Sequence, residues 1–150
     1  MSVLIRAAEE GDLSLLATLE RRLFPHDPWG EGALQGQIRA GHTLSLLLQS
    51  DGAPAGYLLA GFSPPEGELY RIGVLPEYRR KGYGRRLLSA LFDEAEKRSV
   101  GTLFLEVRES NEAARALYAA GGFREYSRRE NYYRDPCEAA CLLRADCRKG

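Results

Sequence analysis

The sequence predicts a mixed α/β domain built on a mostly antiparallel sheet, and three observations point there. Three short apolar runs, Leu44–Gln49, Ala55–Phe62 and Glu68–Val74, follow one another through turn residues. Two stripes of helical spacing, at Gly84–Arg98 and Asn111–Ala119, alternate with the strand-like run Thr102–Arg108. The resulting order, β-α-α-β-β-β-α-β-α-β-β, is that of neither a doubly wound parallel fold nor a barrel. It predicts a mixed sheet, antiparallel first, with helices on both faces.

Each element has a local cause. Residues 3–7 form a short strand. Asp12 is expected to cap a helix through Leu23, with Leu13, Leu16, Ala17, Leu19 and Leu23 on its apolar face. Pro25 and Pro28 end that helix. A weak helix is expected over Glu31–Arg39, where Gly32 and Gly36 lower its stability, so this region is expected to be mobile. Ser50-Asp51-Gly52 is a hairpin turn, and Pro64-Pro65-Glu66-Gly67 a second turn. Leu87, Leu88, Leu91, Phe92 and Ala95 line one face of the helix that follows the third run. Gly121-Gly122 stops the next helix. Phe123–Tyr133 and Cys137–Arg144 are expected to pair antiparallel, leaving a frayed tail over 146–150.

Composition bounds the function. A chain of 150 residues is expected to form a single domain over 1–150, with a core that needs no disulfide or metal. No apolar run approaches the roughly 18–20 residues of a membrane span, and the first residues lack the pattern of a signal peptide. A cytoplasmic location is expected. The three cysteines, Cys137, Cys141 and Cys147, lie near the end. On a strand, Cys137 and Cys141 stand about 13 Å apart, too far for a disulfide. His26 and His42 show no metal-ligand spacing with them, and no metal is expected. Formal net charge is zero, which disfavours nucleic acid as a partner. Residues 1–70 carry four basic and nine acidic side chains; residues 71–150 carry seventeen and twelve. That asymmetry fits an anionic ligand on one side and a cationic one on the other.

The chemistry concentrates in two segments. Arg79-Arg80-Lys81-Gly82-Tyr83-Gly84-Arg85 joins a strand to a helix. A helix N-terminus offers unpaired N–H groups and a positive dipole end, and glycine lets the backbone approach an anion closely. The pattern lacks both the Lys-Ser/Thr ending of a nucleotide P-loop and the third glycine of a dinucleotide fingerprint. A phosphate cradle and a plain solvated basic turn both remain open on this segment alone. In the second segment Glu106 interrupts an apolar strand, sharing a face with Phe104 and Arg108. Partial desolvation there would raise its pKa toward use as a base. An ion pair with Arg108 would do the opposite. Asn111 stands at a helix start, where capping is its plainer role. Tyr118, two turns on, is a core residue or an acid for a departing thiolate.

Taken together, R-R-K-G-Y-G-R-R-L-L, then L-E-V-R-x-S-N-x-x-A-x-x-L-Y, then G-F resembles the GNAT N-acetyltransferases, and among them the bacterial ribosomal-protein-alanine (RimI) type. The resemblance is dense from Leu69 to Tyr133 and thinner earlier, where Phe24 and Pro28-Trp29 match the family pattern. It implies a splayed sheet of six to seven strands, with acetyl-coenzyme A as co-substrate and no metal. It implies that Ile72, Gly73 and Val74 pair with the pantetheine arm, that Arg79, Arg80, Lys81, Gly82, Tyr83, Gly84 and Arg85 hold the pyrophosphate, and that Asn111 touches the coenzyme. Glu106 would be the general base and Tyr118 the general acid. The acceptor, a protein N-terminus such as that of a ribosomal protein, would meet Phe24, Asp27, Trp29, Glu31, Tyr132 and Tyr133. The enzyme would be a monomer or weak dimer. Alternatives are acetylation of lysine side chains or small amines, and a non-catalytic acyl-coenzyme A sensor or partner-binding module. The sequence departs from the family at Asp135–Ala140, where the loop is shorter and one acid, Glu138, precedes alanine in place of the family's acidic pair, and at Gly30, where the family has serine. Both departures lie on the acceptor side.

Overall fold

The computed structural model describes residues 2–147. Among these, seven strands and four helices follow in the order β1 (Val3–Ala7), α1 (Leu13–Leu23), α2 (Glu31–Arg39), β2 (Thr43–Ser50), β3 (Ala53–Ser63), β4 (Glu66–Val74), α3 (Tyr83–Lys97), β5 (Thr102–Arg108), α4 (Glu112–Ala120), β6 (Arg124–Tyr133) and β7 (Glu138–Asp146). Hydrogen bonding orders the strands β1-β2-β3-β4-β5-β7-β6. The β1–β2, β2–β3, β5–β7 and β6–β7 pairs are antiparallel and β4–β5 is parallel, the mixed, mostly antiparallel sheet expected. The β4–β5 register runs from Glu66↔Thr102 to Glu68↔Phe104. The chain falls into two compact units, Met1–Gly61 with Arg71–Leu87, and Phe62–Tyr70 with Leu88–Gly150.

In the first unit, Asp51 (φ 51°) and Gly52 (φ 84°) close the β2–β3 hairpin. Two successive left-handed residues match the twist of the strands they join. The core gathers Leu16, Ala17, Leu19, Leu34, Leu47, Tyr57, Leu59 and Leu75, so the apolar stripe of α1 faces it as the spacing predicts. Asp12 does not cap α1 with its side chain. Its carboxylate instead takes Arg6 Nη1 and Nη2 at 2.8 and 2.9 Å and the Glu9 N–H at 2.8 Å. Those bonds hold its pKa down at about 2. The weak helix α2 has the expected bounds and is tied down by tertiary contacts: Leu34 is buried, and buried Gln37 donates to the carbonyls of Leu44 (3.1 Å) and Ala60 (2.8 Å).

In the second unit, Leu88, Leu91 and Ala95 of α3 are buried with Leu103, Leu105 and Val107 of β5. Helix α4 ends as its glycines require. Gly122 is left-handed (φ 103°), and the Phe123 N–H returns to the Tyr118 carbonyl at 2.9 Å. The Phe123 ring packs against Tyr118 (5.8 Å) and Phe92 (5.7 Å). The expected fraying does not begin at residue 146: Asp146 pairs with Thr102, and buried Cys147 donates its N–H to Gly101 O at 2.9 Å. Residues 148–150 of that expected tail lie outside the described residues. Cys137 precedes β7 and is exposed, Cys141 and Cys147 are buried, and all three are free thiols.

Candidate active site

The basic turn lies in the first unit. β4 ends at Val74, the Leu75 N–H is held by the Ala55 carbonyl at 2.8 Å, and a single 3-10 turn at Pro76–Tyr78 leads into Arg79. Arg79 Nε returns to the Val74 carbonyl at 3.0 Å, folding the chain back on itself. Arg80 (φ 65°) and Gly82 (φ 78°) supply the left-handed residues of the turn. Gly84 is already inside α3, so it is Arg80 and not Gly84 that shares the tight turning with Gly82. Tyr83 belongs to the core: it is buried, its hydroxyl meets Ser50 Oγ at 2.8 Å, and its ring stacks on Tyr78. It anchors the turn from below, while Arg79, Arg80, Lys81, Gly82, Arg85 and Arg86 stay exposed above. Open space surrounds the position a Gly82 Cβ would take. An exposed cationic turn opening onto a helix N-terminus suits a pyrophosphate.

Ile72, Gly73 and Val74 are half-buried at the end of β4. A Cβ on Gly73 would lie 2.7 Å from Leu23 Cδ1 and 3.3 Å from Tyr57 Cε1. A Cβ on Gly56 would lie 2.7 Å from the Gly73 carbonyl oxygen. These glycines let α1 and β3 approach β4 closely.

The Phe24–Trp29 loop, also in the first unit, is organised by two residues that sequence reasoning missed. Glu20 is fully buried on α1. Its carboxylate accepts the Tyr57 hydroxyl at 2.7 Å and the Trp29 N–H at 2.8 Å, and Arg71 Nε lies 3.3 Å away. Burial and that carboxylate push the Tyr57 hydroxyl far above its usual pKa. Arg71 also covers the Phe24 ring at 4.0 Å and donates to the Asp27 carbonyl. Its guanidinium stands 3.7 Å from the Asp27 carboxylate, so Asp27 already has a cation beside it. Trp29 is half-buried against the core. Glu31 is exposed at the first residue of α2, where a negative charge suits the helix dipole. The one signal for this network was Glu20 itself, a charge within an apolar stripe.

The other candidate residues lie in the second unit. Glu106 sits on β5 opposite Leu142 of β7 and is exposed, so the expected desolvation is absent here. The alternative expectation, an ion pair with Arg108, is also absent. Arg108 instead pairs with Glu138 at 3.0 Å, and Glu138 takes the N–H and hydroxyl of Ser110 at 3.1 and 3.0 Å. Arg108 also donates to the carbonyls of Arg134 and Pro136 and covers the Tyr133 ring at 4.4 Å. Tyr133 thus belongs to the clamp that shapes the β6–β7 connection. Tyr132 stands edge-on to it at 5.1 Å, in the field of the Glu106 carboxylate. That carboxylate, then burial, raises the pKa of the Tyr132 hydroxyl. Asn111 stands just outside α4 as its cap, Oδ1 accepting the Ala114 N–H at 3.2 Å. Tyr118 lies within α4 and is 7% exposed.

Sequence reasoning also passed over Glu68. Directly paired residues on neighbouring strands point to one face, and that face repeats every second residue. Glu68 pairs with Phe104, so Glu66, Glu68 and Tyr70 share a face with Phe104 and Glu106. Burial, then the charge of Glu106, raises the Glu68 pKa. The alternation Glu66-x-Glu68-x-Tyr70 was the available signal. Among the described residues no helix is long and apolar enough to cross a membrane, and no cluster of His, Cys, Asp or Glu is placed to hold a metal.

Known proteins share this fold. The acetyltransferase (GNAT) family model matches residues 13–123. The chain is 40% identical to the [ribosomal protein bS18]-alanine N-acetyltransferase of Escherichia coli, over 86% of each chain. It is 38% identical to the N-alpha-acetyltransferase RimI of Mycobacterium tuberculosis, over 96% of this chain and 92% of that one. The crystal structure of the ribosomal-protein-alanine N-acetyltransferase from Escherichia coli superposes with a TM-score of 0.90 at 36% identity, covering 99% of this chain and 96% of that one. The chain belongs to the GNAT acetyltransferase family and is an acetyl-coenzyme A-dependent N-acetyltransferase.

Proposed function

We propose that this enzyme acetylates the N-terminal α-amine of a protein, with alanine first, and that a ribosomal protein is its acceptor. The observation that carries this reading is the 40% identity to an enzyme of that description, spread over 86% of both chains. An α-ammonium has a pKa near 8 and must lose a proton before its nitrogen can attack. In the proposed sequence Glu106 takes that proton. The new N–C bond forms as the C–S bond of the thioester breaks; Tyr118 gives a proton to the departing sulfur and is restored by the second proton that the acylated nitrogen sheds. When bound, acetyl-coenzyme A supplies the acyl group in a ternary complex, and no covalent enzyme intermediate is needed. Arg79, Arg80, Lys81 and Arg85 hold its pyrophosphate, backbone at Ile72–Val74 pairs with its pantetheine arm, and Asn111 touches it. The acceptor contacts are Phe24, Asp27, Trp29 and Glu31 of the first unit, and Tyr132 and Tyr133 of the second. The enzyme works in the cytoplasm as a monomer or weak dimer.

A second reading, transfer to a lysine side chain or a small polyamine, is favoured by one observation: Glu66, Glu68 and Glu106 give a single face several carboxylates. A panel of short peptides differing in the first residue, assayed for thiol release, separates the two. The first reading expects turnover on alanine-first peptides and little on free polyamines. The reverse order would replace it with the second.

A further inference from the structure

We propose that Glu68 is a positioning residue for the transfer, acting through Glu106 by coupling to it as Glu106 receives the acceptor's proton. This rests on the reading of Glu106 as the base. Glu68 and Glu106 lie on adjacent parallel strands and on one face of them. Glu68 is directly opposite Phe104, and Glu106 is two residues further along the same strand. Strand spacing and rise put their Cα atoms about 8 Å apart, within mutual reach of two glutamate side chains.

The groups facing this pair come from four strands. β4 contributes Glu66 and Tyr70, the latter 38% exposed, and its hydroxyl pKa is raised by burial and by Glu68. β5 contributes Arg108, which is committed to Glu138. β6 contributes Tyr132, whose hydroxyl pKa the Glu106 carboxylate raises, and Arg129, whose guanidinium lies 5.7 Å from the Tyr132 ring. From β7, Arg144 is opposite Phe104 and stands over the Tyr126 ring at 5.5 Å.

The physical consequence concerns the first proton. A lone exposed carboxylate is a weak base beside an ammonium. Two carboxylates within interaction distance bind their first proton more tightly, because that proton removes the repulsion between them. The raised pKa of Glu68, caused in part by Glu106, agrees with this. One proton leaves the ammonium and one proton is held by the pair, so the step balances without any other reactant.

The test is the pH profile of kcat for Glu68→Gln, Glu68→Asp and Glu106→Gln, each with its acetyl-coenzyme A affinity and melting temperature. Protonation of the pair switches the base off, so activity falls as pH drops through the pair's pKa. Glu68→Gln should move that acidic limb down by about one pH unit and lower the plateau by about 3- to 10-fold. Coenzyme affinity and melting temperature should hold. Glu68→Asp, which keeps the charge, should restore the limb in part. An acidic limb in Glu68→Gln that superposes on the wild type, while Glu106→Gln is inactive, overturns the pair and leaves Glu106 as the base. Wild-type turnover in Glu106→Gln overturns the base reading itself.

Discussion

At the scale of single residues, the two tyrosines of the β6–β7 connection have different work although they are adjacent. Tyr133 lies under Arg108 in a clamp closed by Glu138, while the Tyr132 hydroxyl feels the Glu106 carboxylate. Residue identity alone could not separate them, because the partners that decide lie 25 and 26 positions away along the chain. The same holds for Glu106. Its strand, its face and its neighbours were legible from alternation, but its environment depends on which partner Arg108 takes. That partner, Glu138, sits on a strand paired with it through a register no local pattern fixes. Asp12 is a third case: its place before an apolar stripe reads as a cap, yet Arg6 claims its carboxylate. For the chemistry, Glu106→Gln is expected to lower kcat by about 10²-fold or more, and Tyr118→Phe by about 10-fold or more. Both should leave acetyl-coenzyme A binding, measured by calorimetry, within about twofold of wild type. Loss of binding in either would move that residue from proton handling to coenzyme contact.

At the scale of elements, the sequence was most informative where local causes suffice. The hairpin at Asp51-Gly52, the stripe of α1, strand Thr102–Arg108 and the glycine stop of α4 each follow from a few adjacent side chains. The weak helix α2 also has the expected bounds, but its hold on the molecule comes from Leu34 and from Gln37, whose amide spans to two strands. Nothing near Gln37 in sequence reveals that. Glycines divide sharply by setting. Gly36, inside α2, has open space where a Cβ would go, so Gly36→Ala should stabilise the fold by about 0.5–1 kcal/mol. Gly56 faces the Gly73 carbonyl at 2.7 Å from its would-be Cβ, and backbone cannot swing aside. Gly56→Ala should cost about 1–3 kcal/mol, by the overpacking that a rigid neighbour enforces. Urea titration of the two variants checks both signs; a stable Gly56→Ala would contradict the close approach of β3 to β4.

At the scale of the whole molecule, the charge asymmetry of the sequence does not survive folding. The first half is acidic and the second basic, yet the first compact unit combines the acidic residues 1–61 with the basic segment Arg71–Leu87. That unit carries ten basic and eight acidic side chains, and the other eleven and thirteen. The relevant separation is therefore local: an exposed cationic turn before α3, and carboxylates on one face of β4 and β5. The first was legible as a motif, since a phosphate cradle is contiguous in sequence. The second was half legible, because pairing Glu68 with Phe104 required the fold. The claim that joins these features is transfer of acetyl to a protein's α-amine. It is tested most directly by incubating the enzyme and acetyl-coenzyme A with one peptide that begins with alanine and carries an internal lysine, and locating the product by tandem mass spectrometry. A single acetyl group is expected on the alanine nitrogen, with the lysine unmodified. Acetyl on the lysine with a free N-terminus would contradict it.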